Sequence, residues 1–170
     1  DPTRPAPTPT CDQACLDARA RDEAAKRAAD AAAEAARNAE AKRVAAAAVR
    51  ATLVATIYFD YDQSDIRGDA RVALDAKLPV LRRNAGLQIR VSGHADERGS
   101  DQYNDALGQR RAAATKRYLT DNGIDPSRIA IVSYGEQRPA MSGTDESAWA
   151  QNRRAEFEII AGGDNLVPPE

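Results

Sequence analysis

From Leu53 onward the hydrophobic positions follow two alternating periods. Leu53, Ala55, Ile57 and Phe59 alternate with polar residues and predict a first strand. Asp60 to Asp65 reads as a polar loop. Leu74, Leu78 and Leu81 then fall at helical spacing, predicting a helix from about Asp69 to Asn84 that Pro79 should kink or split. Gln88 to Ser92 alternates again as a second strand. A second helix is expected from about Gln102 to Asn122, capped by Ser100 or Asp101 and ended by Asn122-Gly123. One of its stripes holds Gly108, Ala112, Thr115 and Leu119, small at one end and able to lie close on a sheet. Another holds Tyr103, Leu107, Arg111, Ala114 and Tyr118. Ile129, Ile131 and Ser133 alternate as a third strand, residues 135–147 read as loop, and about Arg154 to Ile160 forms a fourth strand. The tail after Gly162 is expected to be disordered. Helices joining strands in this order predict an α/β (α+β) two-layer sandwich: a mixed four-stranded sheet with helices on one face.

Upstream the pattern changes. Residues 1–10 hold four prolines and read as an extended tether. From Asp12 to about Thr52 the chain is mostly Ala and charged residues, without Gly or Pro. That composition predicts a long helix, some 60 Å at about 1.5 Å per residue. Thr10 and Gln13 fit a capping box at its start, and Asp17–Arg21, Asp22–Lys26 and Glu23–Arg27 are acid-to-base pairs four apart. A heptad frame through Ala14, Ala18, Ala25, Ala28, Ala32, Ala35, Ala39, Ala46, Val49 and Leu53 is apolar except at Arg21 and Lys42. Alanine buries little area, so a solvated spacer is preferred over an oligomeric seam. The expected division is therefore 1–10 tether, 11–52 helical spacer, 53–162 globular domain and 163–170 tail.

Composition narrows the function. A net charge of −2 leaves no nucleic-acid footprint. No apolar run reaches membrane-spanning length, and no signal peptide is visible, as expected of a processed periplasmic chain or one cut downstream of its anchor. Cys11 and Cys15 sit four apart without nearby His ligands, so a metal site is not expected. A disulfide between them is preferred, with an inter-chain cross-link, lipidation of Cys11 and two free thiols as alternatives. No nucleophile elbow, phosphate loop or dinucleotide fingerprint is present, so no enzyme activity and no cofactor are expected. His94, Asp96 and Glu97 are a thin ligand set for a metal hydrolase. His94 reads instead as a structural histidine bonded to the backbone at a strand end.

The densest chemistry lies in Gly93-His-Ala-Asp-Glu-Arg-Gly99, followed by Tyr103-Asn104, Leu107-Gly108 and Arg110-Arg111-Ala112. Gly93 and Gly99 are expected to give that loop unusual backbone angles. With Tyr58-Phe59-Asp60, Ile131-Val-Ser-Tyr-Gly135 and Asn152-Arg-Arg-Ala155, this set resembles the peptidoglycan-associated lipoproteins, within the wider family of OmpA-like C-terminal domains. The resemblance covers roughly Ile57 to Ile159 and excludes residues up to about 52. It implies non-covalent binding of the diaminopimelate residue of peptidoglycan stem peptides. It implies Asp96 for the ligand ammonium and Arg111 for its carboxylate, with Phe59 and Asp60 lining the pocket. Tyr103, Asn104 and Leu107 belong to the same motif, and Asn152 and Arg153 lie near the rim. It further implies a periplasmic, outer-membrane-associated place, a lipid anchor not visible in this chain, and Tol-system partners including TolB. Thr8-Pro9-Thr10 departs from the residues that precede a lipidated cysteine in that family. Two alternatives remain beside this reading. In one the helix is a scaffold or oligomerisation rod that the domain parks on the wall; in the other the chain is a metal-dependent wall hydrolase.

Overall fold

The computed structural model describes residues 11–170, so the Pro-rich tether and Thr10 lie outside the described residues. The described residues divide into two compact units, with the boundary between Arg43 and Val44. In the first, the helix α1 (Gln13–Val54) begins. Its first turn is capped by Asp12, whose carboxylate accepts the Cys15 N–H at 2.9 Å. Cys11 and Cys15 are joined in a disulfide. Of the three expected ion pairs only Glu23–Arg27 comes within range, at 3.8 Å; Asp17 accepts from Gln13 rather than pairing with Arg21. Exposed pairs of this kind contribute little, so the helix rests on its alanines.

The second unit contains the last turns of α1. Val49 and Leu53 are buried in its core. The sequence placed the boundary at 52–53 and a strand from Leu53, but the helix runs on to Val54 and carries both side chains inward. The first strand, β1, is consequently only Ile57–Tyr58. Helix α2 (Gly68–Arg83) is continuous through Pro79. Pro79 faces solvent, so the carbonyl it leaves unpaired meets water and the helix is not split. Strand β2 (Gln88–His94), helix α3 (Asp101–Asp121), a 3₁₀ turn at Pro126–Arg128 and strand β3 (Ile129–Gly135) follow. A further short helix, α4 (Glu146–Asn152), begins at the end of the region read as loop, before β4 (Arg154–Ala161).

The sheet order is β1-β4-β2-β3, with β2 parallel to β3 and antiparallel to β4. Ile89, Val91, Ala155 and Phe157 from the strands share one core with Leu74, Leu81, Ala112 and Leu119 from the helices. The expected small-residue stripe of α3 lies on the sheet. At its narrow end the backbones themselves meet, since a Cβ on Gly93 would lie 1.8 Å from the Gly108 carbonyl oxygen. Gly93 is thus required by close approach, whereas Gly99 is required by a backbone φ of +113°.

Two polar features tie the core to its edges. Lys77 on α2 is fully buried and donates to the carbonyls of Thr52 and Ala55, 2.8 and 2.7 Å away, closing the end of α1. Its ammonium stands 4.3 Å from the Phe157 ring centre. The tail is ordered against the domain rather than free: Leu166 is buried, and the Asn84 amide exchanges two hydrogen bonds with the Val167 backbone.

Candidate functional site

The loop 95–100 joins the end of β2 to the start of α3. The Ser100 hydroxyl caps α3 by accepting the Tyr103 N–H at 3.2 Å. Asp96 sits at the loop's head, nearly buried. Its carboxylate receives Arg98 through Nε at 3.1 Å and Nη2 at 2.7 Å, and also the Arg98 backbone N–H. Arg153 Nη1 lies 3.7 Å away on the other side. Burial alone would raise the Asp96 pKa, but the Arg98 hydrogen bonds and the two guanidinium charges hold it below the usual carboxylate range.

Arg111, ten residues into α3, is completely buried. Its guanidinium donates to three backbone carbonyls: Gln63 at 2.8 Å, His94 at 2.7 Å and Asp60 at 3.0 Å. Its carbon lies 5.2 Å from the Phe59 ring centre. Burial lowers its pKa to about 10, with Asp96 acting in the opposite sense. Asp96 and Arg111 make no direct ion pair; the internal partners of Asp96 are Arg98 and Arg153 instead. A guanidinium has five N–H donors, so Arg111 keeps spare donors on Nη1 and Nη2. Arg153 donates to the Phe59 carbonyl at 3.0 Å and to Glu146 at 2.7 Å, while its Nη1 is buried without a hydrogen-bond partner.

The residues singled out in the sequence therefore meet in large part, though some take other roles. Asp96, Arg111, Arg153 and the backbone of Phe59 and Asp60 form one cluster. The Phe59 side chain is fully buried beneath Arg111 and lines no open surface. The Asp60 side chain points outward to Arg67 at 3.4 Å. Asn104 is buried and donates to the Asp96 carbonyl at 3.1 Å and to Glu136 at 2.5 Å. Tyr103 is exposed and bonds Asp62. Leu107 is core. The Asn152 side chain is a staple, bonding the backbone of Ala140 and Met141. It also borders a cleft of about 170 Å³ lined by Ala95, Glu97, Glu136 and Met141.

His94 departs from expectation. Its backbone carbonyl serves Arg111, but neither ring nitrogen has a hydrogen-bond partner. Burial, then the nearby Arg154 charge, pushes its pKa down to about 4, so the ring is neutral. Among the described residues no cluster of metal-ligating side chains occurs.

Sequence reasoning missed Arg98, Tyr61 and Trp149. The Arg98 guanidinium lies 3.8 Å from the Tyr61 ring centre and 4.1 Å from that of Trp149. Arg98 stands two residues from Asp96, and Trp149 is the single tryptophan of the chain. Those were the available signals.

This fold, with a charged loop between a central strand and its following helix, is that of a known group of domains. The OmpA family profile matches residues 58–153, and the chain belongs to the OmpA family. Within it, the chain is similar to the peptidoglycan-associated lipoprotein of Pseudomonas putida, 49% identical over 111 residues, and to that of Pseudomonas aeruginosa, 47% identical over 112 residues. These matches cover 65% and 66% of this chain, and 65% of each relative's own length. Among solved structures, the peptidoglycan-associated lipoprotein from Burkholderia pseudomallei superposes with a TM-score of 0.60 at 36% identity, covering 61% of this chain and 88% of that one.

Proposed function

We infer that this chain is a non-enzymatic peptidoglycan-binding protein that grips the diaminopimelate of stem peptides and tethers the outer membrane to the wall. One observation carries the reading of the site: Arg111 is fully buried, yet its bonds go to carbonyls and to no carboxylate. A buried charge without a counter-ion is costly. A ligand carboxylate received by the spare donors of Arg111 and by Arg153 Nη1, which makes no hydrogen bond, removes that cost. Asp96, kept ionised beside them, suits the ammonium on the same ligand carbon. Lysine lacks that carboxylate, so the site discriminates by charge. The names of the similar proteins, which state an association with peptidoglycan, support the same reading. The part of α1 that precedes Val44 serves as a helical spacer. Membrane anchorage and Tol-system partners, TolB among them, follow as part of this proposal from the resemblance to that group.

Co-sedimentation with purified sacculi tests it. Asp96→Asn keeps the shape of the side chain and removes its charge. Losing a charge-assisted bond worth about 1.5–3 kcal/mol, offset by about 1 kcal/mol for the Arg98 pair that the free chain also loses, should weaken binding roughly 2- to 30-fold. Lysine-type walls should bind far less than diaminopimelate-type walls, and no muropeptides should be released. Arg111→Ala also removes three ties to the backbone, so its melting temperature must be read beside its binding. Wild-type binding by Asp96→Asn would refute the site.

A further inference from the structure

We propose that Arg98 is a built-in competitor for the ligand, a clasp that holds the site closed until the ligand ammonium displaces it. The inference rests on the diaminopimelate reading of Asp96 and Arg111.

Asp96 already holds a cation in this structure. Arg98 grips it with a two-point fork, and the carboxylate takes the Arg98 backbone N–H as well. The oxygens an ammonium would need are occupied by a group of the same charge. The fork is in turn held from both sides. Tyr61 comes from the β1–α2 loop and Trp149 from α4, and both rings lie within stacking distance of the guanidinium. Trp149 is itself positioned by its indole N–H on Glu97 at 3.2 Å. One side chain thus fastens three separate segments together.

The second effect falls on Arg111. Two of the carbonyls that cover it, those of Asp60 and Gln63, flank Tyr61 in the same loop. While Arg98 holds Tyr61, that loop stays over Arg111. Arg98 therefore occupies the half of the site meant for the ammonium and keeps the cover on the half meant for the carboxylate. The clasp is accessible to exchange, since the Arg98 side chain retains 28% of its exposure while Asp96 beneath retains 5%. A ligand carrying only a carboxylate cannot replace Arg98 on Asp96. One carrying only an ammonium gains nothing from uncovering Arg111. The clasp demands both charges at once.

The test is titration of the full chain with the tripeptide L-alanyl-γ-D-glutamyl-meso-diaminopimelate, followed by Trp149 fluorescence and calorimetry. Arg98→Gln removes the competing charge and should bind the tripeptide about tenfold tighter, the scale of one partly exposed ion pair with its ring contacts. Its emission without ligand should already resemble that of the ligand-bound wild type. Tyr61→Leu, at an exposed position, removes one ring and should tighten binding about threefold. If wild type binds but the variants bind equally or more weakly, Arg98 is a bystander or a ligand contact, and the clasp alone falls. If wild type and Arg98→Gln melt normally and neither binds, the diaminopimelate reading falls and the clasp with it.

Discussion

Lys77 offers a quantitative test of how the long helix is joined to the domain core. It is fully buried, and burial lowers its pKa from 10.5 to about 8. A folded-state pKa below the unfolded one means that the unfolded chain binds more protons between pH 8 and 10.5. Stability therefore rises with pH across that window. The full shift corresponds to about 3 kcal/mol at roughly 1.4 kcal/mol per unit, of which roughly 2 kcal/mol is gained between pH 7.5 and pH 10. The hydrogen bonds survive the titration, because a neutral amine still donates to both Thr52 and Ala55. Lys77→Met abolishes the proton linkage and leaves those two carbonyls without their donor, at about 1–3 kcal/mol for an unmet buried group. The assay is urea unfolding of both chains at several pH values, followed by circular dichroism. Titrations common to both chains cancel in the difference. The expected result is a wild-type advantage that grows by roughly 2 kcal/mol between pH 7.5 and pH 10. Parallel pH profiles would refute the burial of a charged Lys77.

Two further outcomes follow from the core. Gly93→Ala places a methyl within 1.8 Å of the Gly108 carbonyl, so its melting temperature should collapse or the chain should fail to fold, whereas Gly86→Ala, with open space around it, should differ little. His94, neutral with a pKa of about 4, should cost the wild type stability as pH falls from about 6.5 toward 4, because only the unfolded chain gains the proton there; His94→Phe, compared by thermal melts at pH 7 and pH 4.5, should lose less.

The elements with strong local signals were legible in the sequence. The α3 stripes, the Ser100 cap, the Gly123 stop and the alternation of β2 and β4 all depend on neighbours within a few residues. So did the loop bearing Asp96, set between glycines. The misreadings share a cause, which is that contacts distant in sequence decided them. Leu53 fits a strand pattern as well as a helix end, and only core packing with Val49 distinguishes the two. Pro79 left α2 intact because it faces water, a fact no local pattern carries. Burial of Lys77 depends on carbonyls more than twenty residues away. The motif points to Arg111, but not to its three carbonyl partners, which come from two segments that nothing near it in sequence indicates. A histidine at a strand end predicts a bond from the ring to the backbone, but here the carbonyl of His94 is used instead.

The contact of Gly93 with Gly108 has a consequence for how such a protein can change. Most layers in a protein are spaced by side chains, so their separation shifts whenever the core is repacked. Here main chain rests on main chain, two residues before the loop that carries Asp96 begins and one turn before Arg111. The gap at that point is a fixed datum, insensitive to whether a distant leucine becomes a methionine. Substitutions elsewhere in the core can raise or lower the melting point while leaving the β2–α3 spacing that separates Asp96 from Arg111 as it is. Stability and specificity are therefore free to drift independently in this domain, and a loosened variant can keep its grip until it unfolds altogether.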